Sequence, residues 1–147
     1  MGKDFLTILN IDDDQGCRHA AARFFTIMCG HKVEVAENGR EGLRKAASIQ
    51  PDIILLDMHM PDMTGFQVME ALYSAPATRR IPVIVITGAH LNDRELNSLK
   101  AKRNFMFLEQ KPVKFGRLLQ KLERIRQPGL PRTEAQNIFS DDPTEPA

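Results

Sequence analysis

Four stretches of the chain are dominated by large apolar and β-branched side chains: Phe5 to Ile11, Ile53 to Leu56, Pro82 to Ile86 and Phe105 to Leu108. Runs of this kind suit strands buried on both faces, as in a parallel sheet covered by helices. A fifth stretch, Lys32 to Ala36, alternates polar and apolar and predicts a half-covered strand. Between the strands the apolar residues return every three or four positions. Gln15 to Met28 presents Cys17, Ala20, Ala21, Phe24, Phe25 and Met28 as an inward stripe, and the helix through Ile49 presents Leu43, Ala46 and Ala47. Thr64 to Tyr73 offers Phe66, Val68, Met69 and Leu72. A polar helix is expected over Asn92 to Lys102. The last helix, Lys114 to Arg126, lines up Phe115, Leu118, Leu119, Leu122 and Ile125. Strand and helix alternate five times, which predicts an α/β domain with right-handed crossovers and helices on both faces of a doubly wound parallel sheet.

The punctuation agrees with this order. Asp13 or Asp14 can cap the first helix, Gly30 ends it, and Asn38-Gly39 turns into the second. After Arg126 the composition changes. Residues 127–147 hold four prolines, one basic residue and four acidic ones, so a domain over 1–126 followed by a disordered Pro-rich acidic tail or linker is expected.

Composition narrows the class without choosing a function. At 147 residues, 42% hydrophobic and 27% charged, the chain has room for one core of ordinary size. No apolar run is long enough to cross a bilayer and the first residues lack a signal-peptide core, so no membrane partner and a cytoplasmic location are expected. Cys17 and Cys29 lie twelve positions apart on one expected helix, too far along its axis for a disulfide. A formal charge of +1 gives no reason to expect direct nucleic-acid binding.

The chemistry sits where the strands stop. Beyond the first strand come Asp12 and Asp13, at the end of the third Asp57, after the fourth Thr87 and after the fifth Lys111. In open parallel sheets ligands bind just beyond the carboxyl ends of the strands. Three carboxylates brought together repel and raise one another's pKa unless a cation joins them. A hard divalent ion with oxygen ligands, Mg²⁺ above all, resolves that conflict. An acid cluster, a metal, a lysine and a hydroxyl together describe a phosphoryl site, where positioning and charge neutralisation supply most of the catalysis. Asp57 stands alone on the central strand and is the candidate nucleophile, while Asp12 and Asp13 form a pair suited to the metal.

The blocks ILNIDDD, PDIILLDMHMPDMTGF, PVIVITGA and EQKPV, in that order over roughly residues 5 to 126, resemble the receiver domain of two-component response regulators. The resemblance implies a flavodoxin-like sheet of order 2-1-3-4-5 and a phosphoacceptor that takes its phosphoryl group from a histidine kinase or phosphotransfer protein. By the same resemblance Asp57 is the phosphorylated aspartate. Asp13 ligates Mg²⁺ directly, Asp12 does so through water, and His59 lends its backbone carbonyl. Thr87 is the switch hydroxyl, Lys111 the phosphate-binding lysine, and Pro112 a residue usually preceded by a cis bond. Gly88 and Ala89 match small positions that leave the phosphate room. Such a domain catalyses its own phosphorylation and dephosphorylation without being a turnover enzyme.

Two features depart from the family pattern. Lys111 follows Thr87 by 24 positions, longer than usual, so the fourth helix or its loop is expected to be altered. Three positions before the lysine, where the family carries an aromatic switch, stands Leu108. Either a bulge brings Phe107 into that role or the aromatic coupling is absent. From Asp93 to Arg126 ten Lys/Arg face four Asp/Glu, and the resemblance makes the 92–126 face the surface for a downstream protein partner. Two rival readings remain: a receiver-like docking module that signals without phosphate, and a hydrolase of the haloacid-dehalogenase type. The second requires a Thr after the strand-end aspartates that Asp12-Asp13-Asp14-Gln15-Gly16 does not supply.

Overall fold

A computed structural model describes residues 5–125. The elements alternate as β1 (Thr7–Ile11), α1 (Gln15–Arg23), β2 (Lys32–Ala36), α2 (Gly39–Ile49), β3 (Ile53–Asp57), α3 (Gly65–Ser74), β4 (Val83–Thr87), α4 (Asp93–Lys100), β5 (Phe105–Gln110) and α5 (Phe115–Ile125). All strand pairings are parallel and the sheet order is β2-β1-β3-β4-β5, the doubly wound order expected. The 127–147 segment lies outside the described residues.

The three central strands are buried along their whole length, as their unbroken apolar runs require. Because side chains alternate across a strand, each contributes to two cores. Leu9, Ile11, Ile54, Leu56, Val83 and Val85 pack toward α2, α3 and α4, against Ala46, Val68, Leu72 and Leu99. Ile8, Ile53, Leu55, Ile84 and Ile86 pack toward α1 and α5, against Phe25, Leu118 and Leu122. Truncating any of these fully buried leucines to alanine is expected to cost about 2–5 kcal/mol.

Helix starts follow from local chemistry. The Asp14 carboxylate accepts from the Cys17 N–H and caps α1. Asn38 caps α2, while Thr64 with Gln67 and Asn92 with Glu95 form reciprocal boxes at the starts of α3 and α4. The first helix runs on from α1 into a π-helical turn, Phe24–Met28, before Gly30 adopts φ +70° and breaks it. The expected stripe is only partly kept. Ala21 and Phe25 are buried, but Ala20 is exposed and Met28 is 74% exposed. The inward face of α1 includes Arg18 instead. On α2, Ala47 faces out, and Gly42 takes the closest approach to the sheet, where an added Cβ would lie 2.5 Å from the Ile11 side chain.

The extra length before Lys111 is absorbed partly within β5. Val83 pairs with Phe105 but Ile84 pairs with Phe107, so Met106 forms a bulge. Met106 and Phe107 consequently both face the α1/α5 core, and Leu108 turns to the α4 side, half-buried, in line with Val85. The bulge therefore carries Phe107 away from the Thr87 side. An amine stands over its ring there, Lys121 Nζ at 4.6 Å from the centroid.

Candidate functional site

Five polar residues converge beyond the carboxyl ends of β1, β3, β4 and β5. Each is there because an apolar strand ends at that residue or within the two before it. Asp12 follows Ile11, is only 5% exposed, and donates its backbone N–H to the Ala36 carbonyl at 3.0 Å. Asp13, next in the chain, is exposed. Asp57 ends β3 and is 5% exposed, and the following amide, Met58 N–H, donates to Ile86 O at 3.2 Å. Carboxylate oxygens of Asp12, Asp13 and Asp57 all lie within 4.8 Å of one another.

Lys111 closes the group. Its backbone N–H donates to Thr87 O at 2.9 Å, extending the β4–β5 ladder by one step, and the Lys111–Pro112 peptide is cis. Its ammonium lies 3.3 Å from Asp12 Oδ2 and 3.5 Å from Asp57 Oδ1. Burial works to lower the Lys111 pKa, but the Asp57 and Asp12 carboxylates outweigh it and hold the amine above its ordinary value. Asp57 is pushed the other way for an acid. Burial and the Asp12 charge raise it from 3.8 to about 6, against the opposing pull of Lys111 and of the His59 N–H. The cluster holds more negative charge than one lysine neutralises. Hard oxygen donors crowded in this manner fit a small divalent cation.

Thr87 is fully buried, and its hydroxyl is engaged with Ala89 two residues on: it accepts from the Ala89 N–H at 3.0 Å and donates to the Ala89 carbonyl at a weak 3.4 Å. The side chain of His59 is exposed, which leaves its backbone as the part nearest Asp57. Gly65 has a steric task. A Cβ there would strike the Met58 sulfur and come within 2.7 Å of Met58 Cα and 3.2 Å of Asp57 O, so only glycine lets α3 start this close to the acidic strand end.

Asp12, Asp13 and Asp57, singled out in the sequence, are thus brought together, and Lys111 reaches Asp12 and Asp57. Thr87 sits one ladder step from Lys111 with its hydroxyl turned to its own loop. Sequence reasoning missed three neighbours. Arg18 donates from Nη1 to the Asp12 carbonyl at 2.8 Å. The Cys17 thiol is raised by its burial and lowered by the adjacent Lys111. Asp62 accepts from the Gly39 and Arg40 N–H groups at 2.9 and 3.0 Å, tying the loop after β3 to the start of α2. None of the three has a local sequence signal: the helix N-terminus that Asp62 faces is more than twenty residues earlier in the chain.

The profile of the response regulator receiver domain matches residues 8–123. Protein PilH of Pseudomonas aeruginosa is 39% identical over 74 residues, covering 50% of this chain and 59% of PilH. The probable C4-dicarboxylate response regulator DctR of Bacillus subtilis is 31% identical over 121 residues, 82% of this chain and 52% of DctR. The chain thus spans little more than half the length of these two relatives. Among solved structures, the chemotaxis protein CheY4 of Vibrio cholerae superposes with a TM-score of 0.74 at 28% identity, covering 82% of this chain and 98% of CheY4. The signal receiver domain of a DNA-binding response regulator from Colwellia psychrerythraea gives 0.73 at 29% identity, covering 83% and 98%. Among the described residues no helix is long and apolar enough to cross a membrane.

Proposed function

The chain belongs to the response regulator receiver domain family, and from that premise we propose that it is a phosphorylation switch whose acceptor is Asp57. The observation that carries this reading is the Lys111 ammonium, 3.5 Å from Asp57 and 3.3 Å from Asp12, beside three carboxylates that need a cation. A carboxylate oxygen of Asp57 attacks the phosphorus of a phosphohistidine on a histidine kinase or phosphotransfer protein. The P–O bond forms as the P–N bond breaks, and the imidazole, already protonated from solvent on its other ring nitrogen, leaves as the neutral ring. Water later attacks the acyl phosphate and returns the carboxylate and free phosphate. Lys111 keeps its proton throughout and lies where it can bind the incoming anion. Asp12, Asp13, Asp57 and the backbone carbonyl of His59 would hold Mg²⁺, which supplies charge neutralisation of the phosphoryl oxygens. The imidazole of His59 is left out of this set, since that ligand suits zinc better than magnesium.

Phosphorylation adds about two negative charges next to Lys111 and Thr87. Turning the Thr87 hydroxyl toward the phosphoryl group gives up its bond from the Ala89 N–H at 3.0 Å as well as the weak 3.4 Å bond to Ala89 O, and so frees the loop leading into α4. With Leu108 rather than an aromatic on that side, the response would reach the basic 92–126 face through the loop and α4, without an aromatic swing. That face would receive the downstream protein partner. The protein would work in the cytoplasm, as a signalling module and not a turnover enzyme. The test is incubation with a small phosphodonor and Mg²⁺. Wild-type protein is expected to take up one phosphoryl group, Asp57→Ala none, and Lys111→Ala a reduced share. Equal uptake by Asp57→Ala would refute the assignment.

A further inference from the structure

Asp12 is held from four directions. Its N–H goes to Ala36 O, its Oδ1 accepts from the Asp14 N–H at 2.9 Å, and its Oδ2 faces Lys111 at 3.3 Å. The fourth hold is on the backbone carbonyl, which accepts from Arg18 Nη1 at 2.8 Å. Arg18 projects from the inward face of α1, is only 9% exposed, and has its second nitrogen 3.5 Å from Glu37 on the loop after β2. Burying a guanidinium is unfavourable unless its donors are used. Here one donor is used on the backbone of the metal-binding loop, at the point where the β1–β3 ladder has ended with Ile11 and Leu56.

We propose that Arg18 is a positioning residue of the acceptor site: by fixing the Asp12 carbonyl it aims Asp13 at Asp12 and Asp57. The physical link is the peptide plane. The Asp12 carbonyl and the Asp13 N–H and Cα are coplanar, so a donor that pins the oxygen also sets the direction in which the Asp13 backbone departs. Asp13 is exposed, and without that pin its carboxylate is free to leave the other two. A guanidinium suits the task because its rigid planar fork places one nitrogen on the carbonyl and the other toward Glu37.

The proposal rests on the reading of this cluster as a Mg²⁺ site, and its test separates the two. A cation that acted only through its charge would repel Mg²⁺, and its removal would tighten binding. A cation that positions the ligands would loosen binding when lost. Mg²⁺ alone is titrated into wild-type protein, Arg18→Met and Arg18→Lys, and followed by calorimetry and by backbone amide shifts of residues 12–14. Urea unfolding in chelator checks that each is folded. Arg18→Met is expected to lose about tenfold in affinity, the usual scale for groups that orient metal ligands. Arg18→Lys is expected to fall between, since it keeps the charge and one hydrogen bond. Unchanged or tighter binding by Arg18→Met overturns the proposal. If that variant does not fold, Arg18→Lys decides, and wild-type affinity there overturns it. Wild-type protein that takes no Mg²⁺ overturns the site and the role of Arg18 together, whereas wild-type binding with unaffected variants overturns only the role of Arg18.

Discussion

Replacing Asp57 by asparagine should stabilise the metal-free protein, and the size of the effect follows from the site. In the folded protein burial and the Asp12 charge raise the Asp57 pKa from 3.8 to about 6. The folded state therefore keeps that proton to a higher pH than the unfolded chain does. The stability associated with the neutral carboxyl is complete below pH 4 and is lost as pH rises through 6. A shift of this size corresponds to about 2–3 kcal/mol of penalty on the ionised form at neutral pH. Asparagine is nearly the same shape and carries no charge, and Lys111 keeps Asp12 as a partner at 3.3 Å. Urea unfolding in chelator at pH 8 should find Asp57→Asn more stable than wild type by about 1–3 kcal/mol, the lower end allowing for the lost Lys111 contact. The gap should close as pH falls toward 4. Saturating Mg²⁺ should narrow or reverse it, because an ion at a hundred times its dissociation constant adds about 2.7 kcal/mol to the form that binds it. A variant that is less stable in chelator at pH 8, or a gap that ignores pH, would refute the electrostatic account.

Other consequences are more local. Gly65→Ala would force a methyl against Met58 Cα, so it should cost about 1–3 kcal/mol in thermal or urea unfolding and slow phosphoryl uptake by moving the end of β3; unchanged stability would show that the loop gives way freely. Lys121 and Glu109 form a buried pair at 2.6 Å between α5 and β5. Lys121→Met should cost about 3–5 kcal/mol by leaving Glu109 buried, and adding Glu109→Leu should restore most of it. Phe107→Ala should cost about 3–5 kcal/mol in unfolding as a core truncation, yet leave the phosphorylation-dependent amide shifts of the loop after Thr87 intact; their loss would return Phe107 to the signalling path.

The order of elements and the clustering of Asp12, Asp13, Asp57 and Lys111 at the strand ends were readable because both are written as abrupt changes in hydrophobicity. An unbroken run such as Ile53 to Leu56, short and bounded by Pro51 and Pro61, suits a doubly covered strand, and a carboxylate or amine directly after such a run falls at the strand's carboxyl end. What could not be read depends on pairing in space. Arg18, Glu109 and Lys121 look solvated in a pattern of polar and apolar positions, yet all three are buried because partners outside their own helix or strand satisfy them. Met28 looked inward because a regular helical period was assumed, and the π-helical turn at Phe24–Met28 breaks that period, whereas Ala20 is turned out by the regular helix itself, whose buried side is set by Arg18 and Ala21. A bulge in β5 was one of two alternatives weighed from the sequence, but the one at Met106 turns Phe107 away from the switch position instead of into it. Two consecutive apolar residues facing one core look no different from two facing opposite cores.

The central claim is that one carboxylate among three accepts the phosphoryl group. Borohydride reduction tests it directly, because an aspartyl phosphate is reduced to homoserine while free aspartates are untouched. After treatment with a small phosphodonor and Mg²⁺, peptide mass spectrometry is predicted to find homoserine at position 57 and aspartate at 12 and 13. Homoserine at 12 or 13, or at none of the three while the intact chain carries phosphate, would contradict the account.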